Sequence, residues 1–240
     1  PLTMIKAYAE MIHDISGDIP AKRDEHLDVI VREVDYLDHL VTDMAELSKM
    51  QSGSYQLKLG TFNLSQKIQN IVTLCQVMID EHHYQLVIEC PRSLMMTADE
   101  VKISQVIYNF LSNAFKHTPD GKKITIRAFE KNDWIQVEVE DEGEGIKKED
   151  LPYIWDRYYK IDKKYQRATG GSTGLGLAIV KAIVSAHQGE IEVDSEVGRG
   201  SRFVIRLPIR SDAADQPLTA EHSPRLPQPS PQNTNAGVSK

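Results

Sequence analysis

The sequence predicts an α+β chain in three parts: a helical hairpin over 1–54, a two-layer α/β sandwich over 55–210 and a disordered Pro-rich tail over 211–240. Three observations predict this. Apolar residues in the first part recur at alternating three- and four-residue steps, a helical period. The second part interleaves alternating strand patterns with amphipathic helices, as a sheet covered by helices requires. The third sets Pro217, Pro224, Pro227, Pro229 and Pro231 among Ser, Gln and Asn, with almost nothing to bury.

The hairpin rests on Leu2, Ile5, Ala9 and Ile12, then, after a break around Gly17–Pro20, on Leu27, Ile30, Val34, Leu37, Val41 and Met44. This is the spacing of a supercoiled seam. Two such helices bury too little surface alone, so dimerisation into a four-helix bundle is expected. The alternative is a pair of amphipathic helices packed on the rest of the chain.

In the second part Asn63–Glu81 reads as a helix, Tyr84–Cys90 as a strand and Asp99–Lys116 as a helix. Lys123–Glu130 and Trp134–Glu140 alternate as strands about a turn at Lys131-Asn132-Asp133. An irregular stretch follows from Asp141 to Thr173, then a helix over Gly174–His187. Glu190–Ser195 and Ser201–Leu207 close as a hairpin over Val197-Gly198-Arg199-Gly200.

A net charge of −7 argues against nucleic acid as a partner. Cys75 and Cys90 have neither metal nor disulfide-framework spacing, which suits a reducing cytoplasm. No apolar run reaches the roughly 20 residues of a membrane span, so no membrane contact is expected from this chain. It opens at Pro1 instead of Met, which points to sequence upstream.

Four stretches carry chemistry. GGSTGLGLAIVKAIVSAHQGEI runs a glycine-rich turn into a helix N-terminus, where backbone N–H groups and the helix dipole suit phosphate. In QVIYNFLSNAFKHTPDG, Gln105, Asn109, Asn113 and Lys116 line one polar strip of a helix. Asparagine is a poor helix former, so its amides are there either to ligate Mg²⁺ through oxygen or to satisfy nearby backbone. DEGEGI ends a strand at Asp141, and Gly143 and Gly145 let a flat ligand approach the backbone. The carboxylate suits an exocyclic amine such as adenine's, or it is an incidental turn residue. A calcium loop is excluded, because glycines stand where oxygen donors are needed. WDRYYKIDKKYQRATGG places Arg157, Lys160, Lys163, Lys164 and Arg167 in an irregular segment, either a lid over phosphates or a solvated loop. The Walker A pattern and the protein-kinase loops are absent, and GSTGLG reverses the Rossmann glycine order.

Asn-x-x-x-Asn, then DxGxG, a basic segment and GxxGLGL, in that order, give the chain from Pro1 to Pro208 a resemblance to the sensor histidine kinases of two-component signalling. NFLSNAFKHTP is similar to their N box, DEGEGI to the G1 box, WDRYYK to the F box, GGSTGLGLAIVKAIVSAHQGEI to the G2 box and VGRGSRF to the closing hairpin. The resemblance implies the Bergerat ATP-binding fold with ATP and Mg²⁺ as cofactors. It implies Asn113 as the metal ligand supported by Asn109, Lys116 on phosphate, Asp141 on the adenine amine, and Gly143, Gly145 and Ile146 as the adenine wall. Gly174, Leu175 and Gly176 would hold phosphates, with a lid moving between Asp156 and Thr173. His117, Arg157, Tyr159, Lys160, Thr173 and Ser201 complete the expected nucleotide contacts.

Related ATPases of this fold carry a Glu four residues before the metal Asn as general base for water. Asn109 stands there in this chain, which favours transfer to a protein over hydrolysis. The acceptor departs from the pattern. The family's His-Glu-x-x-Thr motif immediately precedes the Pro-Leu that opens this chain, so the phosphoacceptor is expected upstream of Pro1, and His13 is read as a surface histidine. The chain alone is then not expected to autophosphorylate. A homodimer through the hairpin, a response-regulator receiver domain as partner and a cytoplasmic location beneath an upstream membrane anchor follow from the resemblance. A nucleotide-gated docking module without transfer activity is the alternative.

Overall fold

The computed structural model describes residues 1–160 and 173–209. The Pro-rich tail and the central part of the basic segment, with Lys163, Lys164 and Arg167, lie outside the described residues.

Helix α1 (Leu2–Met11) continues through a π turn (Ile12–Ser16) into a tight connection, and α2 (Pro20–Gln51) returns antiparallel to it. Pro20 opens α2, where a missing N–H costs nothing. At the turn the Ser16 hydroxyl donates to the Met11 carbonyl and meets His26 Nδ1 at 3.0 Å, while Tyr8 packs edge-on against the His26 ring. Of the 32 residues of α2 only Leu47 and Met50 are buried, both at its C-terminal end. Leu2, Ala9, Leu27, Val34, Val41 and Met44 stay exposed, so most of the expected seam is not covered by the rest of the chain.

Five strands form the main sheet in the order β2-β4-β5-β7-β6: β2 (Gln85–Glu89), β4 (Lys123–Lys131), β5 (Trp134–Asp141), β6 (Glu190–Glu196) and β7 (Gly200–Pro208). β2 is parallel to β4 and all other neighbours are antiparallel. Asn132 and Asp133 both take positive φ, the conformation that a two-residue hairpin turn needs. On β5, Ile135, Val137 and Val139 face the helices with Ile124, Ile126, Phe203 and Ile205. The alternate residues lie on the other face in charged rows, where Arg127 reaches Glu89 at 2.7 Å and Arg206 reaches Glu192 at 2.6 Å.

Helices α3 (Leu64–Leu74), α5 (Glu100–His117) and α6 (Gly176–Ala186) belong to the same hydrophobic core through Ile68, Ile103, Ile107, Phe110, Leu111, Ile179 and Ile183. The expected single helix over Asn63–Glu81 is instead capped by Asn63, whose side chain accepts from Ser65 and Gln66, and interrupted at Cys75. There ψ opens to 0°, and α4 (Gln76–Glu81) follows. A second sheet was not foreseen: β1 (Leu59–Asn63) pairs antiparallel with β3 (Met95–Asp99). Each is five residues long, too short to show an alternation of its own, and only their mutual pairing makes them strands. Helix α6 begins two residues later than expected because Gly174 sits at φ +71°, outside helical geometry.

Asp99, at the junction of β3 and α5, is the meeting point of the domain. Its carboxylate caps α5 through the Lys102 N–H at 3.2 Å and accepts from the Tyr55 hydroxyl and the Lys58 N–H. Its own N–H donates to His187 Nε2 at 3.1 Å, and His187 Nδ1 reaches the Ile183 carbonyl at 2.8 Å. His187 is therefore a neutral tautomer with both ring nitrogens used. Burial holds its pKa below the ordinary value.

Candidate functional site

The expected site residues gather in two groups at one end of the sandwich. Register builds the first: Asp141, Ser201 and Ser195 are successive cross-strand partners on β5, β7 and β6. All three share the helix-facing side of the sheet. Asp141, 5% exposed, accepts the Gly143 N–H at 2.9 Å and the Ser201 N–H at 3.3 Å on Oδ1. Burial raises its pKa, and those two hydrogen bonds and nearby His117 oppose the rise.

The glycines of this end are required by contact as well as by conformation. A Cβ on Gly143 would lie 2.4 Å from the His117 carbonyl, and one on Gly145, at φ +71°, 2.1 Å from that of Glu196. The turn is stitched to its surroundings by Glu144 N–H to His117 O, Gly198 N–H to Glu144 O and Ile146 N–H to Ser195 Oγ. His117 Nδ1 and Glu144 Oε1 stand 2.8 Å apart above it. Asp141, Ser195 and Ser201 also line a concavity of about 180 Å³ at the strand ends. A larger one, about 490 Å³, is walled by Trp134, Gln136, Arg202 and Arg206 on the opposite sheet face and holds none of the expected residues.

The second group lies where α5 meets the start of α6. Asn109 Nδ2 donates to the Gly176 carbonyl at 3.3 Å, so one of the two helix asparagines does satisfy backbone, and in doing so ties α5 to the first turn of α6. Asn113 follows one turn later, partly buried on the same strip. Gln105, which the sequence places on that strip too, turns away to Glu46. Among the described residues no side chain caps α6, which leaves the positive end of its dipole without a side-chain acceptor. The Leu175 N–H is engaged by Thr173 Oγ1. Gly174 accepts from the Tyr158 N–H at 2.9 Å, and Tyr158 holds φ +63°, so the ends of the basic segment are joined. The Lys116 ammonium, on a side chain that partly faces solvent, has its pKa lowered first by partial burial and then by Lys160, with Glu144 opposing. Two lysines that act on each other in this way favour negative charge nearby.

One expected contact has a partner of its own. The Tyr159 hydroxyl donates to Asp150 at 2.6 Å, a bond that pushes its pKa up to about 12. Arg157 is exposed. His13 is exposed at 86% of its side chain and bonds to Asp14, whose carboxylate raises its pKa.

Sequence reasoning missed three participants. Ser195 is legible only once β6 is registered against β7. The other two join the sandwich to the hairpin. Thr173 Oγ1 donates to Asp43 Oδ2 at 3.2 Å. Glu46 takes Lys102 Nζ on one oxygen at 2.5 Å and Gln105 Nε2 on the other at 3.1 Å. Among the described residues no group of three or more His, Cys, Asp or Glu side chains could hold a metal, and no helix is long and apolar enough to cross a membrane.

Comparison with known proteins matches two regions of the chain. Residues 98–211 match the family described as histidine kinase-, DNA gyrase B- and HSP90-like ATPase, and residues 1–53 match the His Kinase A (phospho-acceptor) domain. The sensor histidine kinase WalK of Bacillus subtilis is 34% identical over 218 residues, covering 90% of this chain and 35% of WalK. The chain thus spans about a third of the length of that curated relative. Among solved structures, histidine kinase AdeS of Acinetobacter baumannii superposes with a TM-score of 0.72 at 23% identity, covering 87% of this chain and 95% of AdeS. Histidine kinase ThkA, solved in complex with response regulator protein TrrA, gives 0.71 at 24% identity over 88% of this chain and 58% of ThkA. With the phospho-acceptor domain and the ATPase domain matched in that order on one chain, it belongs to the sensor histidine kinase family.

Proposed function

We propose that this chain is the dimerisation and ATP-binding part of a sensor histidine kinase, divided near residue 54 and again near 210. It carries the γ-phosphoryl group of ATP to a histidine nitrogen, with ADP leaving, and from there to an aspartate of a response regulator. The observation that carries the reading is Asp141. One oxygen of this buried carboxylate is held by the Gly143 and Ser201 N–H groups, and the other remains to accept an adenine amine beside a glycine turn that admits a flat ring.

Gly143, Gly145 and Ile146 form the wall against the base. Lys116, Lys160 and the uncapped start of α6 at Gly174, Leu175 and Gly176 receive the phosphates. His117 and Ser201 border the base, and Arg157, Tyr159 and Thr173 belong to the segment that closes over the ligand. Asn113 offers a hard amide oxygen to Mg²⁺, an ion that keeps waters and shares ligands with phosphate and so needs no acidic cluster. Mg²⁺ bound there would neutralise charge on the phosphates. Asn109 decides the class of reaction: an amide cannot deprotonate water, and its nitrogen is already bonded to Gly176. What remains is positioning and charge stabilisation, which suffices for a loose phosphoryl-transfer transition state.

The exposed seam residues Leu27, Val34, Val41 and Met44 support a homodimer through the hairpin. The TrrA complex of ThkA supports a receiver domain as partner. We put the acceptor on the motif that this resemblance expects just before the Pro-Leu pair, and the chain on the cytoplasmic side of a membrane-anchored parent.

The test is transfer from γ-labelled ATP to two proteins, this chain and one extended by its native upstream residues. Acid-labile, base-stable label on the extended protein alone is expected. Label on this chain too would move the acceptor to His13 or another histidine. No label on either, with ATP still bound, would replace transfer by nucleotide-gated docking.

A further inference from the structure

The hydroxyl of Ser195 has one hydrogen and two lone pairs, and the structure uses all three. The hydrogen goes to the Gly200 carbonyl at 2.9 Å, and one lone pair takes the Ile146 N–H at 2.8 Å. The remaining contact, to Ser201 Oγ at 2.9 Å, then has only one possible direction: Ser201 donates. With its hydrogen committed, Ser201 turns only lone pairs outward. Its neighbour in the row, Asp141, keeps Oδ2 outside any hydrogen bond among the described residues, and a carboxylate is likewise an acceptor.

We infer that Ser195 is a positioning residue that sets the polarity of the base end of the site. By taking the Ser201 hydrogen it leaves a row of acceptors, which accepts a purine carrying an exocyclic amine at this position and rejects one carrying a carbonyl. Ser195 acts through Ser201 and, through Ile146, on the turn behind the base. The inference rests on the nucleotide reading above and adds to it the group that enforces the choice.

Inosine triphosphate is the discriminating probe, since it differs from ATP in carrying a carbonyl where adenine carries the amine. Kd values for ATP and ITP are measured by calorimetry on the full chain and on Ser195→Ala, with thermal unfolding to verify the fold. The wild type prefers ATP. Ser195→Ala frees the Ser201 hydroxyl to turn and donate to a carbonyl, so the ATP preference falls about tenfold, the worth of one hydrogen bond, beyond any common loss from the unpaired Ile146 N–H. Ser195→Thr keeps the hydroxyl and restores the preference. If Ser195→Ala does not fold, Ser195→Cys, close in volume and a weak acceptor, is expected to show the same loss.

A merely structural serine would weaken ATP and ITP equally, and an unchanged ratio overturns the inference while leaving the nucleotide reading intact. A wild type that binds ATP and ITP equally overturns the polarity argument itself. A wild type that binds neither overturns the nucleotide reading and this inference with it.

Discussion

The Thr173 hydroxyl donates to Asp43 and accepts from the Leu175 N–H, so one side chain joins the entrance of α6 to the long helix of the hairpin. Asp43→Ala removes one of these bonds and Thr173→Ala removes both. In urea unfolding the two substitutions are expected to couple by about 0.5–1.5 kcal/mol, with Thr173→Ala the more costly. Purely additive losses would mean that the contact does not persist in solution.

Acidification weakens the sandwich through His187. Its folded pKa lies below the ordinary 6.5 because burial disfavours the imidazolium, so between the folded value and 6.5 the unfolded chain binds more protons. The contribution is whole above pH 6.5 and is lost as pH falls through that window. Melting temperatures measured from pH 7.5 down to 5 should fall, and His187→Gln should start lower and show a flatter profile.

Asp141→Asn replaces an acceptor by an amide that can turn its NH₂ toward the base amine. ATP affinity measured by calorimetry is expected to fall about 10–100-fold, the range of a charge-assisted hydrogen bond, with the fold retained. Because burial raises the Asp141 pKa, wild-type affinity should decline on acidification earlier than an exposed aspartate would allow.

Gly200 and Gly198 both take positive φ, +101° and +80°, yet they should differ in tolerance. A Cβ on Gly200 would lie 1.8 Å from the Asp141 carbonyl, whereas one on Gly198 meets nothing within 4 Å. Gly198→Ala is expected to cost about 1–2 kcal/mol in urea unfolding, the left-handed penalty alone. Gly200→Ala should exceed it by at least about 2 kcal/mol and shift Asp141, which nucleotide binding would report.

What was legible in the sequence was whatever a single segment expresses. Asp141, Gly143 and Gly145 stand out as a carboxylate and two glycines at a strand end, a pattern the sequence leaves open between a pocket for a flat ligand and an incidental turn. Asn109 and Asn113 do so because helices avoid asparagine. The sequence left two uses of Asn109 open, and its bond to Gly176 shows that it satisfies backbone while framing the site. What stayed hidden depends on pairs far apart in the chain. β1 and β3 define each other, Gln105 lies 59 residues from Glu46, and Thr173 lies 130 from Asp43. Such contacts leave no periodicity to read.

The connection between hairpin and sandwich is held from both sides. Before it, the Ser52 and Ser54 hydroxyls both donate to the Lys49 carbonyl and fasten the chain to the last turn of α2. After it, Tyr55 and Lys58 are bound to Asp99, itself bonded to His187. Most of the segment up to Gly60 is therefore fastened to one part or the other. The two sets of bonds meet at the link from Ser54 to Tyr55, beside a glycine at φ +67°. A joint this short is an axle and not a tether: were the Thr173–Asp43 and Lys102–Glu46 contacts to open, it would allow the sandwich to turn about the hairpin while denying it reach.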